Sequence, residues 1–171
     1  MQLQTLLLAL LSAASTITAA SIPRPAPAPF GNNTLTTPDP RFIPTDFGVT
    51  AGVPAPSQPG SCLGAGGKLI PCTCPPKPTD PRFLAGLTQA LTEGFFPDPS
   101  VQSPIDLARF NDAADTSART NQLRATVMIQ VMQSLSGKKG AGCPGVAVPV
   151  LVNQQKTGQV GDAASVGSAG R

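Results

Sequence analysis

Prolines crowd the N-terminal part of this chain and limit where regular structure can form. Of the 20 prolines, ten lie between Ser21 and Gly60, and the run Pro23–Pro29 alternates proline with other residues. Because proline lacks a backbone N–H and keeps its predecessor out of the helical region, such a stretch builds neither a helix nor a strand ladder. We therefore expect residues 21–60 to form an extended, disordered arm. The residues expected to dock it onto the folded part are Phe42, Ile43, Phe47 and Val49.

The first twenty residues have the pattern of a secretory signal peptide. A leucine-rich run covers Leu3–Leu11, and small residues ending in Thr18-Ala19-Ala20 follow it. The run is shorter than the ~20 apolar residues that a membrane span needs, so we predict a signal peptide over residues 1–20, cleaved after Ala20, and not an anchor. The mature chain is then secreted and extracellular, and Asn32, in the sequon Asn32-Asn33-Thr34, is a glycosylation candidate.

The four cysteines are disulfide candidates in a secreted chain: Cys62, Cys72, Cys74 and Cys143. A bridge between Cys72 and Cys74 would close a strained ring around Thr73, which leaves two pairings open. These are Cys62–Cys72 with Cys74–Cys143, or Cys62–Cys74 with Cys72–Cys143. Each has a short loop worth roughly 3 kcal/mol and a long loop worth about 4 kcal/mol, so energy does not separate them. A four-thiolate zinc site and a Cys-x-Cys redox motif are the competing interpretations.

A glycine-rich stretch, Gly64-Ala65-Gly66-Gly67-Lys68, lies between the first two cysteines. It lacks the spacing of a phosphate-binding loop, the hydroxyl residue that follows the lysine and the strand that precedes it. We interpret its glycines as residues that let a short disulfide loop turn.

Two helical patterns follow the cysteine cluster. Asp80 as N-cap and Pro81 at the first position predict a helix that ends at Gly94. A second pattern predicts residues 104–136 as one long helix or two with a bend, capped by Ser103 and ended by Gly137. The apolar face of the first comprises Phe83, Leu84, Leu87, Ala90 and Leu91. The stripe of the second comprises Leu107, Phe110, Ala114, Ala118, Asn121, Ala125, Met128, Met132 and Leu135.

The C-terminal part is interpreted as mostly irregular. Residues Val146–Val152 are apolar and β-branched, but Pro149 interrupts them, so at best a short edge strand is expected. Residues 153–171 are rich in Gly, Ser, Ala and Gln and are predicted to be a disordered tail. The predicted fold class is mainly α: a small, disulfide-stapled helical domain over residues 61–152. Lys138 and Lys139 form a dibasic pair that is either a processing site or a favourable charge at a helix end.

Several of these landmarks resemble those of a family of small secreted fungal proteins without an assigned activity. The matching pieces are Cys72-Thr73-Cys74-Pro75-Pro76, Arg82-Phe83-Leu84, Met132-Gln133-Ser134-Leu135-Ser136-Gly137 and Gly142-Cys143-Pro144. The resemblance covers about half of the chain and implies a fungal extracellular origin. It implies no catalytic residues.

The composition excludes several function classes. The chain has no His, Trp or Tyr, which rules out His-dependent catalytic triads and His-based metal sites and removes the usual aromatic platforms. A formal net charge of +3 is too small and too scattered to indicate nucleic-acid binding. Asp112 and Asp115, three residues apart, are interpreted as a solvated face and not as a catalytic pair. We expect no catalytic residue, no cofactor and no metal.

The sequence thus predicts a secreted, non-catalytic protein that is wall-associated or faces a host or another partner. A cell-wall polymer or another protein is the expected partner, with no nucleic acid and no membrane after removal of the signal. The alternative is a small-lipid or apolar-ligand binder that uses Leu87, Leu91, Met128, Met132 and Leu135 around a cavity between the helices. A carboxylate-based hydrolase is a third and less favoured possibility.

Overall fold

A computed structural model describes residues 35–93, 95–96, 105–135 and 142–161, with the backbone alone at positions 95, 96, 105 and 106. Within these ranges the chain is mainly α and contains two disulfides, Cys62–Cys72 and Cys74–Cys143. The helices are α1 (Pro81–Glu93), α2 (Ala118–Gln133) and α3 (Pro149–Thr157). The strands are β1 (Ser61–Leu63), β2 (Leu69–Pro71), β3 (Phe95–Phe96) and β4 (Ile105–Asp106), paired antiparallel as β1–β2 and β3–β4.

Helix α1 follows the predicted pattern. The Asp80 carboxylate accepts the N–H of Arg82 at 2.8 Å, and Pro81 occupies the first position, where its missing N–H costs no hydrogen bond. At Gly86 the helix lies so close to α2 that a Cβ would stand 2.9 Å from Val131. Gly94, the predicted end, lies outside the described residues. The buried face consists of Phe83, Leu87, Ala90 and Leu91, with Leu84 partly buried beside it.

The predicted second helix is wrong over its first half. Residues 105–106 form β4, residues 107–117 form turns, and α2 begins only at Ala118, where the Ser117 hydroxyl accepts the N–H of Thr120 at 3.3 Å. Two aspartates cap these turns: Asp112 accepts the N–H of Ala114, and Asp115 accepts that of Ser117. Short acceptor side chains compete with helix formation in this way. Ala114, placed on the predicted stripe, is exposed.

The apolar segment near the C-terminus is also helical, where an edge strand was expected. Pro149 interrupts a strand, but it is favoured at the first position of a helix, and it begins α3. Gly158, with a φ of 72°, ends α3 in the left-handed region. Val150 and Leu151 are buried against the core.

The prediction of a disordered tail is wrong over residues 153–161, because α3 continues to Thr157 and packs along α2. Amide side chains make this interface: Gln154 Nε2 donates to the Asn121 carbonyl at 3.0 Å, and Asn121 Nδ2 donates to the Gly158 carbonyl at 3.0 Å. Gln154 is almost fully buried. A Gln-rich composition predicts disorder, but the amides of Asn121 and Gln154 satisfy buried backbone groups here.

The predicted disorder is likewise wrong for residues 35–60 of the arm: residues 42–49 pack on the core, and residues 53–55 pair with β1. Prolines restrict regular pairing to that short bridge but do not prevent packing of irregular chain, and side chains supply further hydrogen bonds. Asn111 accepts the Asp39 N–H at 2.8 Å and donates to the Thr37 carbonyl at 2.8 Å. Phe47 is buried edge-on against Phe83, with ring centroids 5.5 Å apart. All four predicted docking residues are confirmed: Phe42, Ile43, Phe47 and Val49 lie in or against the core.

One apolar core joins the described elements. It runs from the arm through β1 and β2 to all three helices, and its members include Phe47, Ile70, Phe83, Leu87, Leu107, Phe110, Met128, Met132, Val148 and Leu151. Among the described helices, none is long and apolar enough to cross a membrane.

Candidate interaction surface

The first two cysteines close a β-hairpin. Cys62 on β1 pairs with Ile70 on β2, and the Cys62–Cys72 disulfide joins β1 to the residue after β2. The glycine-rich stretch forms the turn, with Gly66 and Gly67 at φ values of 63° and 70° that only glycine adopts readily. A Cβ on Gly64 would stand 2.8 Å from Ile70, so this glycine allows a close approach. The glycine-rich stretch therefore forms the turn of the loop that the Cys62–Cys72 disulfide closes.

A third segment extends the hairpin on its other side. The Leu63 N–H donates to the Val53 carbonyl at 2.9 Å, and the Ala55 N–H donates to the Ser61 carbonyl at 2.9 Å. Pro54 lies opposite Cys62 in this bridge. Pro54 and Cys62 form a non-hydrogen-bonded pair of this antiparallel bridge, in which the two residues make no backbone hydrogen bond to each other. The missing N–H of Pro54 therefore costs no hydrogen bond between the two segments.

The pairing register places three aliphatic side chains side by side on the solvent face. Val53 lies opposite Leu63, and Leu63 lies opposite Leu69, so all three point to the same side of the sheet. Val53 is 41% exposed, Leu69 is 43% exposed and Leu63 is half-buried. The opposite face carries Cys62 and Ile70 into the core. We call Val53, Leu63 and Leu69 the sheet row.

The outer strand also presents backbone groups to solvent. Because the Leu63 N–H points toward Val53, the Leu63–Leu69 pair is a non-hydrogen-bonded one, and the N–H and C=O of Leu69 point away from β1. Two residues near Leu69 limit how far an added strand can pair with this edge. Lys68 is charged and exposed, and Pro71 has no N–H. This edge can therefore exchange two backbone hydrogen bonds with an added strand at Leu69.

A groove lies on the other side of the cysteine cluster, along the Cys74–Cys143 disulfide. It has a volume of about 120 Å³ and is lined by Pro71, Thr73, Cys74, Pro76, Arg82, Leu135, Gly142 and Cys143. Both cysteines of this disulfide are nearly fully buried. The Arg82 guanidinium at its rim is bound to Asp80 at 3.0 Å. Only Leu135 comes from the set predicted to line an apolar-ligand cavity.

Three of the described carboxylates are engaged by hydrogen bonds from nearby residues. Hydrogen bonds from Ser117 and Thr120 hold the pKa of Asp115 well below its ordinary value, and the Arg109 guanidinium beside it acts in the same direction. Hydrogen bonds from Arg82 lower the pKa of Asp80, and those from Arg41 lower the pKa of Asp39. A carboxylate held ionised in this way is a poor general acid near neutral pH.

A buried arginine is the polar feature that the sequence reasoning missed. Arg124 on α2 is 1% exposed, and its guanidinium donates to the carbonyls of Phe110, Asp112 and Asp115 at 2.7–2.9 Å. Its Cζ lies 3.7 Å from the centre of the Phe42 ring. Burial lowers the pKa of Arg124, and nearby Asp115, Asp112 and Asp39 oppose this shift. The signal for it was present, since Arg124 falls on the stripe between Asn121 and Met128.

The structure brings together some of the predicted site residues. All four cysteines are paired, which identifies the first of the two open pairings and leaves no thiolate for a zinc site or a redox pair. Within the described ranges, Cys, Asp and Glu side chains form no cluster of three or more that could hold a metal ion. The predicted signal peptide, the glycosylation candidate Asn32 and the processing candidates Lys138 and Lys139 lie outside the described residues.

The chain was compared with family models, with curated proteins and with solved structures. None of the three comparisons finds a match. The features of the chain that bear on its function are the disulfides, the sheet row and the exposed edge of β2.

Proposed function

We propose that this chain is an extracellular, non-catalytic interaction protein that binds a partner protein through the sheet row. The observation that supports the proposal is the row itself: three aliphatic side chains lie next to each other on the solvent face of the sheet, two of them more than 40% exposed. A contiguous apolar patch on a protein surface is a candidate site for a partner.

The edge of β2 specifies the mode of binding. An extended segment of the partner adds as a strand at Leu69, exchanging two backbone hydrogen bonds and covering the row with its own apolar side chains. Lys68 and Pro71 make pairing of two β2 edges unfavourable, because Pro71 cannot donate and two Lys68 charges would approach each other. We therefore infer a different protein, and not a second copy of this chain, as the occupant.

The disulfides and the N-terminal pattern support the extracellular setting. Two disulfides indicate an oxidising compartment. The apolar run of residues 3–11 supports secretion after cleavage at Ala20. The resemblance to small secreted fungal proteins supports an extracellular origin, which is compatible with a wall-associated or host-facing protein. Aromatic rings usually bind sugars, and the row is aliphatic, so we favour a protein partner over a wall polymer.

The apolar-ligand alternative is less well supported. Leu87, Met128 and Met132 are fully buried and pack in the single core of the described residues. Apolar stripes at helical spacing usually pack this way.

A peptide-display selection on the full, oxidised mature chain tests the proposal. We expect enriched peptides with alternating apolar residues that bind as extended strands. A Leu69→Lys variant should weaken their affinity by roughly tenfold or more, because burying a leucine side chain is worth about 1.5–3 kcal/mol. Isothermal titration calorimetry on the selected peptides measures the loss.

The matched control is Val160→Lys, which adds the same charge at a valine that is 60% exposed and follows α3. The control should bind the peptides like the parent chain. Equal weakening by both variants, or a selection that enriches no peptide, would contradict the proposal. A mass map that shows both disulfides in each variant establishes that the fold is kept.

A further inference from the structure

The two disulfides differ in the solvent exposure of their cysteines. Cys74 and Cys143 are 3% and 4% exposed. Cys62 is 1% exposed, but its partner Cys72 is exposed, and so are both of its neighbours, Pro71 and Thr73. One disulfide is therefore buried at both ends, whereas the other is open at one end.

Exchange requires a thiolate to reach one sulfur of a disulfide along the line of the S–S bond. Cys72 is the exposed end of the Cys62–Cys72 bond, with its Sγ 3.8 Å from the Gly60 carbonyl, whereas Cys62 faces the core beside Ile70. The Cys72 side is therefore the favoured side for this approach. At the Cys74–Cys143 bond, attack requires local opening of the residues that cover it, which adds a free-energy cost. Both cysteines line the groove along that bond, but each is less than 5% exposed.

We propose that Cys72 is a thiol-exchange site, at which a small external thiol opens the Cys62–Cys72 disulfide while Cys74–Cys143 stays closed. The attacking thiolate bonds to Cys72 Sγ, the Sγ–Sγ bond breaks, and its electron pair leaves on Cys62, which takes a proton from water. The product is a mixed disulfide on Cys72. A second thiolate then attacks the sulfur of the bound thiol, releasing the Cys72 thiolate and a small disulfide, so two thiols are oxidised and one protein disulfide is reduced.

The opened bond changes the hairpin and leaves the helices joined. Cys62 lies on β1 between Ser61 and Leu63, so the exchange removes the covalent link between β1 and the end of β2, the strands that carry Leu63 and Leu69. The Cys74–Cys143 link, which spans α1 and α2, is untouched. The inference needs no partner protein and is independent of the proposed function.

The test is graded reduction of the full, oxidised chain with glutathione and, separately, dithiothreitol, followed by alkylation and peptide mapping. We expect Cys62 and Cys72 to be labelled at least roughly tenfold faster than Cys74 and Cys143, because only the second pair needs local opening. Glutathione should be found on Cys72 and not on Cys62. In denaturing urea the difference in rate should disappear.

A Cys62→Ala/Cys72→Ala double variant is the matched control, since it retains the buried disulfide alone. It should take up no glutathione under conditions that modify the parent chain. Faster labelling of Cys74 and Cys143, equal rates for the two disulfides in the native chain, or glutathione on Cys62 would each overturn the proposal.

Discussion

At the scale of single residues, Arg124 donates hydrogen bonds to backbone carbonyls that helical N–H groups would otherwise satisfy. Its guanidinium binds four carbonyls of the segment 107–117, and its face is covered by Phe42 from the arm. A planar group with five donors suits this task, because it satisfies several diverging carbonyls at once. Three separate parts of the chain thus meet at one side chain.

Replacing Arg124 by methionine should destabilise the protein by on the order of 3 kcal/mol. The methionine fills similar space but leaves the carbonyls of Phe110, Asp112 and Asp115 buried with a donor removed, and such groups cost about 1–3 kcal/mol each before relaxation. Urea unfolding followed by circular dichroism measures the loss. Arg119→Met, at an exposed position of the same helix, should leave the unfolding midpoint almost unchanged, and equal losses in the two variants would contradict this role.

At the scale of elements, the sequence predicts correctly the helix α1, whose start and buried face depend on residues close together in the chain. The cap at Asp80, the proline at Pro81 and one apolar face were enough for α1. The segment 107–117 has a helical stripe, but the guanidinium of Arg124 binds its carbonyls, and these hydrogen bonds span up to 15 residues. A pattern along the chain cannot show which carbonyls a distant side chain will bind.

The same reasoning explains the C-terminal elements and the candidate surface. Pro149 fits both an interrupted strand and a helix start, and only packing against α2 decides between them. The sheet row depends on the pairing of residues 53–55 with β1, which a proline-rich stretch gave no reason to expect. The sequence could predict the cysteines and their two possible pairings, but not which residues flank them on a sheet.

The junction of α3 with α2 should be highly sensitive to a single methyl group. Gly158 has a φ of 72°, and a Cβ there would stand 2.5–2.6 Å from Ala118 at the start of α2. Gly158→Ala should therefore lower the free energy of unfolding by about 1 kcal/mol for the left-handed backbone and by roughly 2 kcal/mol more for the displaced helix. Thermal or urea unfolding gives the value.

Gly52→Ala separates the two causes. Gly52 has a similar φ of 77°, but nothing lies within 4 Å of its missing Cβ. This variant should show the backbone cost alone, about 1 kcal/mol. If Gly158→Ala cost no more than Gly52→Ala, the close approach of α3 to α2 would be wrong.

At the scale of the whole molecule, covalent links and one core hold together a short chain. The Cys74–Cys143 bond joins the segment before α1 to the segment after α2, across 69 residues. The Cys62–Cys72 bond closes only the hairpin, across 10 residues. A long closed loop restricts the unfolded chain more than a short one, so the two bonds should contribute differently to stability.

Removing each disulfide as a pair of alanines should reveal that difference. We expect Cys74→Ala/Cys143→Ala to cost about 4 kcal/mol and Cys62→Ala/Cys72→Ala about 3 kcal/mol, from the entropy of loop closure. Urea unfolding of both variants and the parent chain gives the two losses. Sucrose, which favours burial, brings the less stable variant into a measurable range if it is unfolded in buffer alone.

The order of the two losses in the free energy of unfolding is more informative than their size, because it indicates which part of the molecule limits unfolding. The chain-entropy account requires the larger loss at Cys74–Cys143, since that bond encloses α1 and α2 while the hairpin has backbone pairing of its own. If the hairpin bond proved the more costly to remove, the sheet would be the weakest element. The helices would then hold together by the core and by the amide contacts between α2 and α3.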